Sequence, residues 1–147
     1  MRDFIVLLLM VVETAVILTL PSPPSHASPS ISLINWHMEG DQSAAEYGYA
    51  VAMAGDVNGD GYDDFLVGAP RYNNGIYREG AAFLFLGAAG GLADTPNWRS
   101  SSGQSGSRYG AALAGVGDVN QDGYDDVLIG APEYKGGQTH TGAAYLF

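Results

Sequence analysis

The feature that most constrains this sequence is an internal repeat with a period of 62 residues. Residues 47–85 align with residues 109–147 without any insertion, and 24 of the 39 aligned positions are identical. The same offset relates Trp36 to Trp98, and the expected role of this tryptophan pair is packing between neighbouring units. A period of this length indicates a tandem array in which each unit buries its core against its neighbours.

Each unit has the turn-rich pattern of short β-strands. In the first unit, apolar runs at Tyr49–Ala54, Phe65–Gly68 and Ala81–Leu86 predict three strands, and Gly, Asn and Asp turns separate them. A further strand is expected around Asn35–His37, and again around Asn97–Arg99 in the second unit. Strands at this spacing indicate antiparallel meanders, so we expect an all-β fold.

An acidic nine-residue loop follows the first predicted strand of each unit. The loops read DVNGDGYDD at 56–64 and DVNQDGYDD at 118–126, and they hold eight of the 16 acidic residues in a chain of formal net charge −10. Carboxylates clustered in this way repel one another unless a cation lies between them. The loops are therefore candidate metal sites.

The spacing of the oxygen donors predicts calcium. Ca²⁺ takes about six to eight oxygen ligands, and Asp or Asn at alternate positions of a loop with a glycine at its sharp turn can supply them. We expect side-chain oxygens from positions 1, 3, 5 and 9 and a backbone carbonyl from the tyrosine at position 7. We predict two Ca²⁺ ions, one per loop, with these ligands: Asp56, Asn58, Asp60, Tyr62 and Asp64; Asp118, Asn120, Asp122, Tyr124 and Asp126.

These loops differ from EF-hands, which carry a bidentate Glu at position 12 and lie between helices. Position 12 here is Val67 or Ile129, in a strand-like run. Asp63 and Asp125, at position 8, are expected to point away from the ion and to bond to nearby backbone. A single Asp-x-Asn-x-Asp-Gly segment also fits a solvated turn. Two copies in one register favour the metal site.

Composition excludes several classes of function. The chain has six Lys and Arg residues without a basic patch, so nucleic-acid binding is not expected. It has no cysteine, which rules out disulfides and thiolate metal sites. Its three histidines are scattered and form no catalytic arrangement with Ser or Asp, so we expect no enzyme activity.

The N-terminal segment has the pattern of an export signal. Residues 4–20 are mostly apolar and precede a proline-rich stretch and Ser25-His26-Ala27, a typical small-residue cleavage site. We expect a signal peptide at 1–27, with the cut after Ala27, and a linker at 28–34. The alternative is an uncleaved membrane anchor, the only membrane contact that we expect. Both interpretations predict a secreted or cell-surface protein.

The order of motifs resembles a known family. Tyr47-Gly48, the acidic loop and Gly68-Ala69-Pro70 recur as Tyr109-Gly110, the second loop and Gly130-Ala131-Pro132. This order resembles the FG-GAP repeat of the integrin α-subunit head, with Tyr in place of Phe. The resemblance implies a partial β-propeller of about two four-stranded antiparallel blades, the second incomplete, after an N-terminal signal or hydrophobic helix. The loop would join the first two strands of each blade.

The resemblance places the repeats at 35–96 and, truncated, at 97–147, and it suggests a fragment of a longer protein. It implies a calcium-binding extracellular segment for protein binding or cell adhesion, with structural metal and with a protein ligand or further blades as partners. One alternative is an accessory propeller of a secreted hydrolase such as a phospholipase. Another is a dockerin-type module, but the period of about 24 residues and the helices of dockerins are absent.

Overall fold

The computed structural model of the chain describes residues 36–137, 139 and 141–147. The expected N-terminal helix, whether signal peptide or anchor, and the linker at 28–34 lie outside this range. The described residues form β-strands and turns without a helix. Accordingly, none of the described segments is a helix of the length and hydrophobicity needed to span a membrane.

Seven strands form two antiparallel sheets, one for each repeat. The first sheet has four strands in the order β1-β2-β3-β4, and the second has three in the order β5-β6-β7. This architecture confirms the all-β prediction and is consistent with two partial propeller blades. The strands are β1 (Ala50–Gly55), β2 (Asp64–Ala69), β3 (Ala81–Phe85), β4 (Trp98–Ser100), β5 (Ala112–Gly117), β6 (Asp126–Ala131) and β7 (Ala143–Leu146).

A β-bulge marks the end of the first strand of each sheet. In the β1–β2 pair, Met53 lies opposite Phe65, and the register then shifts so that Gly55 lies opposite Asp64. Gly55 has a φ of 80°, a left-handed conformation that glycine adopts without steric cost. The β5–β6 pair has the same shift before Gly117. Each acidic loop therefore leaves its sheet through a glycine bulge.

The fourth strand of the first sheet comes from the second sequence repeat. Trp98 and Arg99 of β4 pair with Leu84 and Phe83 of β3. The strand expected around Asn97–Arg99 is thus confirmed and completes the sheet of the preceding repeat. The equivalent strand that was expected around Asn35–His37 is wrong for the residues that the structure describes, because Trp36 and His37 form no strand. Trp36 instead packs edge-to-face on Phe85 at a ring separation of 5.1 Å and donates its indole N–H to the Ala93 carbonyl.

The core lies between and beside the sheets. One cluster, including Val67, Phe83 and Phe85, packs beneath residues 36–47, whereas Leu66 and Val127 meet between the sheets. Trp98 of the first sheet packs edge-to-face on Phe147 of the second repeat at 5.0 Å. Packing between the units, expected of the repeated tryptophan, is therefore confirmed for Trp98.

The Tyr-Gly and Gly-Ala-Pro motifs meet within each repeat. Gly48 donates its N–H to the Gly68 carbonyl at 2.9 Å, and Gly110 donates to Gly130 at 3.0 Å. Tyr109 is buried, and its ring packs on the ring of Tyr145 at 5.0 Å. The motif pair therefore closes the start of the first strand onto the end of the second, at the end of the sheet opposite the acidic loop.

Candidate metal-binding loops

The acidic loops join the first two strands of each sheet, as predicted. Residues 56–64 connect β1 to β2, and residues 118–126 connect β5 to β6. Gly61 and Gly123, at position 6 of the two loops, have φ values of 87° and 94°. Only glycine adopts this conformation at little cost, which explains the glycine at the sharp turn.

Asp56 holds the first loop in its curved form. Its Oδ1 accepts the backbone N–H groups of Gly59 at 2.7 Å and Asp60 at 3.0 Å, and its Oδ2 accepts that of Gly61 at 2.8 Å. These backbone donors, Gly61 foremost, lower the pKa of Asp56 despite an opposing desolvation effect. The carboxylate is therefore held ionised at the first position of the loop.

Asn58 and Asp60 are connected to each other and to the next turn. Asn58 Nδ2 donates to Asp60 Oδ2 at 2.9 Å, while Asn58 Oδ1 accepts the Asp60 N–H at 2.9 Å. Asp60 Oδ1 accepts the N–H of Tyr62 at 3.0 Å. The side chain of Tyr62 is exposed, which agrees with an expected role for its backbone carbonyl alone.

Asp64 differs from the other loop residues because it is fully buried at the start of β2. Its Oδ2 accepts the Val57 N–H at 2.9 Å, and its Oδ1 accepts the Gly87 N–H at 2.8 Å. Burial raises the pKa of Asp64, and the nearby charges of Asp60 and Asp56 raise it further, against the effect of the two backbone donors. The three carboxylates of the loop therefore repel one another in the absence of a cation.

The second loop reproduces this network. Asp118 accepts the N–H groups of Asp122 at 3.1 Å and Gly123 at 2.9 Å, and Asp126 accepts that of Val119 at 2.8 Å. Asn120 again donates to the carboxylate at position 5, here Asp122 Oδ2 at 2.9 Å. The Tyr124 N–H donates to Asp122 Oδ1 at 3.0 Å. Each repeat therefore builds its own loop from its own five predicted residues.

The two loops are also linked to each other. Asp125 Oδ2 accepts the Asp56 N–H at 3.0 Å, and the Asp125 N–H donates to the Asp56 carbonyl at 3.1 Å. Tyr124 lies over Gly59, where an added Cβ would approach a ring carbon to 2.9 Å. The prediction that Asp125 bonds to nearby backbone is correct in space, although its partner is 69 residues away in sequence. Asp63 makes no such bond within the described residues.

The donor chemistry of each loop fits a hard cation, since three carboxylates and an amide present only oxygen ligands in a short span. In each loop, the carboxylate at position 1 accepts hydrogen bonds from the backbone N–H groups of the same loop. In the part of the chain that the structure describes, no three side chains among His, Cys, Asp and Glu converge as a metal site. The ten predicted ligand residues lie in the two loops, five in each, and their binding of calcium stays a prediction.

Comparison with known proteins identifies the repeats. A family model described as "FG-GAP repeat" matches residues 47–85 and 109–147. The chain is 39% identical to integrin alpha-IIb of Mus musculus over 116 residues, which are 75% of this chain and 11% of that protein. It is 42% identical to integrin alpha-3 of Cricetulus griseus over 97 residues, 65% of this chain and 9% of that protein.

A further relative has a similar sequence. Integrin alpha-PS2 of Drosophila melanogaster is 37% identical over 121 residues, which are 76% of this chain and 8% of that protein. The chain therefore spans about a tenth of the length of the curated relatives it matches. The matched segments coincide with the two Tyr-Gly, loop and Gly-Ala-Pro units, so the chain belongs to the FG-GAP repeat family.

Proposed function

We propose that this chain is a calcium-stabilised, exported β-propeller segment that binds protein and has no catalytic role. The observation that carries the calcium proposal is the loop of Asp56, Asp60 and Asp64. Burial raises the pKa of Asp64, and the charges of Asp60 and Asp56 add to this effect. A divalent cation between them would reverse this effect, because an opposite charge favours the ionised form.

The similarity to integrin alpha chains supports a role in protein binding or cell adhesion. In this proposal the ions stabilise the repeats, and they do not take part in chemistry. The partner is a protein ligand or a further set of blades. The apolar segment and the small-residue site at Ala27 support the proposed export. Sequencing the N-terminus of secreted protein tests it, with Ser28 as the expected first residue and an intact Met1 as the contrary result.

Calorimetric titration of the full chain with Ca²⁺ tests the metal sites. We expect two sites with dissociation constants of about 10⁻⁴–10⁻³ M, the range of weak extracellular modules. Asp60→Ala should abolish the first site and leave the second, and Asp122→Ala should do the reverse, because each loop has its own ligands.

Asp94→Ala is the matched control, because Asp94 is an exposed acid outside both loops. It should leave both sites unchanged. A folded sample that takes up no calcium would contradict the proposal. Equal losses with Asp94→Ala and Asp60→Ala would show that only net charge matters and that the loops are not specific sites.

A further inference from the structure

The second acidic loop holds the backbone of the first loop at the residue where that loop begins. Asp125, at position 8 of the second loop, exchanges two hydrogen bonds with Asp56. Its Oδ2 accepts the Asp56 N–H at 3.0 Å, and its own N–H donates to the Asp56 carbonyl at 3.1 Å. The same side chain lies against Gly55, where an added Cβ would come within 2.9 Å of the Asp125 Cβ. The backbone around Asp56 is therefore fixed by the other repeat.

The side chain of Asp56 in turn keeps the first loop curved. Its carboxylate accepts the backbone N–H groups of residues 59, 60 and 61 at 2.7, 3.0 and 2.8 Å. All three bonds depend on where the backbone places this carboxylate, so a shift of Asp56 would weaken them together. A contact that fixes the Asp56 backbone therefore also stabilises the closed form of the first loop.

The position of Asp125 depends on the order of the second loop. Asp125 lies between Tyr124 and Asp126, two of the predicted ligand residues of that loop. The Tyr124 N–H donates to Asp122 Oδ1 at 3.0 Å, and Asp126 Oδ2 accepts the Val119 N–H at 2.8 Å. Asp125 is thus anchored on both sides by the network that closes the second loop. The network of one loop is joined to the network of the other through this residue.

A difference in sequence between the loops lies at this same contact. The two nine-residue loops differ at position 4 alone, which is Gly59 in the first and Gln121 in the second. Both residues have a left-handed backbone, with φ values of 76° and 63°, and Gln121 is exposed. An added Cβ at Gly59 would come within 2.9 Å of a ring carbon of Tyr124. Since the second loop adopts this backbone with glutamine, the contact with Tyr124 explains the glycine of the first loop.

We propose that Asp125 is a positioning residue for the first acidic loop, through which the order of the second loop controls both the closure of the first loop and the affinity of its cation site. The link between the loops rests on the contacts of Asp125 and Tyr124 alone. Its effect on cation affinity also rests on the proposed function. By its position in the sequence, Asp125 belongs to one site, and by its contacts it serves the other.

The link predicts positive coupling between the two proposed calcium sites. A cation in the second loop would be held in part by the Tyr124 carbonyl and the Asp126 carboxylate, the residues on either side of Asp125. Ordering these residues leaves Asp125 with less freedom, so the first loop loses less conformational entropy when it binds its own cation. Coupling between two binding sites is reciprocal, so each site should strengthen the other by the same factor.

Calorimetric titration of full-chain variants with Ca²⁺ measures this factor. Asp122→Ala should retain the first site but weaken it by about fivefold or more, relative to the wild-type chain with its second site filled. Asp60→Ala should weaken the second site by the same factor. In the presence of Asp125→Ala both factors should fall to about one. Asp63→Ala is the matched control, because Asp63 holds position 8 of the first loop without a hydrogen bond within the described residues.

Asp125→Asn separates the hydrogen bond from the charge. The asparagine keeps an acceptor oxygen for the Asp56 N–H and removes the negative charge, so it should retain most of the coupling. Two independent sites in the wild-type chain would overturn the effect on affinity. Coupling that survives Asp125→Ala would overturn the role of this residue. Coupling that Asp125→Asn and Asp125→Ala abolish equally would show that charge alone acts.

Hydrogen exchange in the presence of a chelator tests the link without any metal. Gly123 has a φ of 94°, so Gly123→Ala strains the second loop. The amides of residues 59–61 should then exchange faster by about threefold or more, and this increase should be absent when Asp125→Ala is already present. Gly137→Ala is the control, because Gly137 has a similar φ of 85° in the connection between β6 and β7, and it should leave these amides unchanged.

The two experiments separate the link from the proposed function. A folded chain that binds no calcium would contradict the proposed function, and the exchange measurement would still decide the link. Unchanged exchange of residues 59–61 in a folded Gly123→Ala chain would overturn the link, whether or not calcium binds. If Gly123→Ala does not fold, Asp122→Ala replaces it, because it removes the acceptor of the Tyr124 N–H and should accelerate the same amides.

Discussion

Tyr109 is the aromatic residue of the second Tyr-Gly pair, and its phenol lies in a buried cluster with Ala82 of the first sheet and Ile129 of the second. Its hydroxyl donates to Ser100 Oγ at 3.0 Å. Burial raises the pKa of Tyr109 from 10.0 to about 12, because the phenolate would lose its hydration. A phenylalanine at this position would fill the same volume without this ionisation.

We expect Tyr109→Phe to change how stability depends on alkaline pH. Between the unfolded pKa of 10.0 and the folded pKa of about 12, the folded state binds more protons than the unfolded state, so wild-type stability falls as pH rises through this window. The loss is at most about 2–3 kcal/mol from this one group. The variant has no phenol and so avoids this loss of stability at high pH. It also lacks the hydrogen bond to Ser100, which contributes about 1 kcal/mol.

Urea unfolding at neutral pH and midway between the two pKa values provides the measurement. At neutral pH the variant should be the less stable protein, and in the alkaline window the difference should shrink or reverse. Tyr62→Phe is the control, because Tyr62 is exposed and should show no such change. A constant difference between wild type and Tyr109→Phe at both pH values would contradict the assignment.

At the scale of the loops, Asp125 connects the two repeats. Its carboxylate accepts the Asp56 N–H at 3.0 Å and approaches Gly55 so closely that an added Cβ there would overlap it. Asp125→Ala removes a charged acceptor, and we expect a loss of about 1–2 kcal/mol in the free energy of unfolding. Asp63 has the same position in the first loop and no hydrogen bond within the described residues, so Asp63→Ala should change stability by no more than about 0.5 kcal/mol.

The two variants are compared by their urea midpoints, with Asp125→Asn as a conservative replacement that keeps one acceptor oxygen and should lose less. Similar losses for Asp63→Ala and Asp125→Ala would mean that the position matters only within its own loop. In that case the contact with Asp56 would not connect the repeats energetically.

The strands themselves could be predicted from local pattern, but their partners could not. The apolar runs at 49–54, 65–68 and 81–86 correspond to β1, β2 and β3 within a residue or two. By contrast, Trp98 and Trp36 hold equivalent places in the repeat, and only Trp98 lies in a strand. A strand needs a neighbour to bond to, and β3 is available to Trp98–Ser100. The hydrogen bond between Asp125 and the Asp56 N–H could not be predicted for the same reason, because the two residues are 69 positions apart and the sequence around Asp125 does not indicate its partner.

At the scale of the whole molecule, the repeat period was sufficient to predict two sheets of one design. It was not sufficient to predict which strand faces pack against the other sheet. Met53 and Gly115 occupy equivalent positions in the two repeats. The structure explains the glycine, because β5 lies against β1 and leaves no room for a Cβ at Gly115. The loops show a similar limit, because their spacing predicts which oxygens are present, while the hydrogen bonds of Asp56 and Asp64 decide how those oxygens are directed.

The strand β4, which belongs to one repeat in sequence and to the other in structure, has a consequence for how such chains can be divided. A protease nick in the connection between β3 and β4 would leave the two pieces fastened together by the β3–β4 hydrogen bonds and the Trp98–Phe147 contact. Recombination at the boundary between the two sequence repeats would instead move a unit that includes β4, the strand that completes the sheet of the preceding repeat. Each transplanted unit would therefore need a recipient whose last sheet is one strand short.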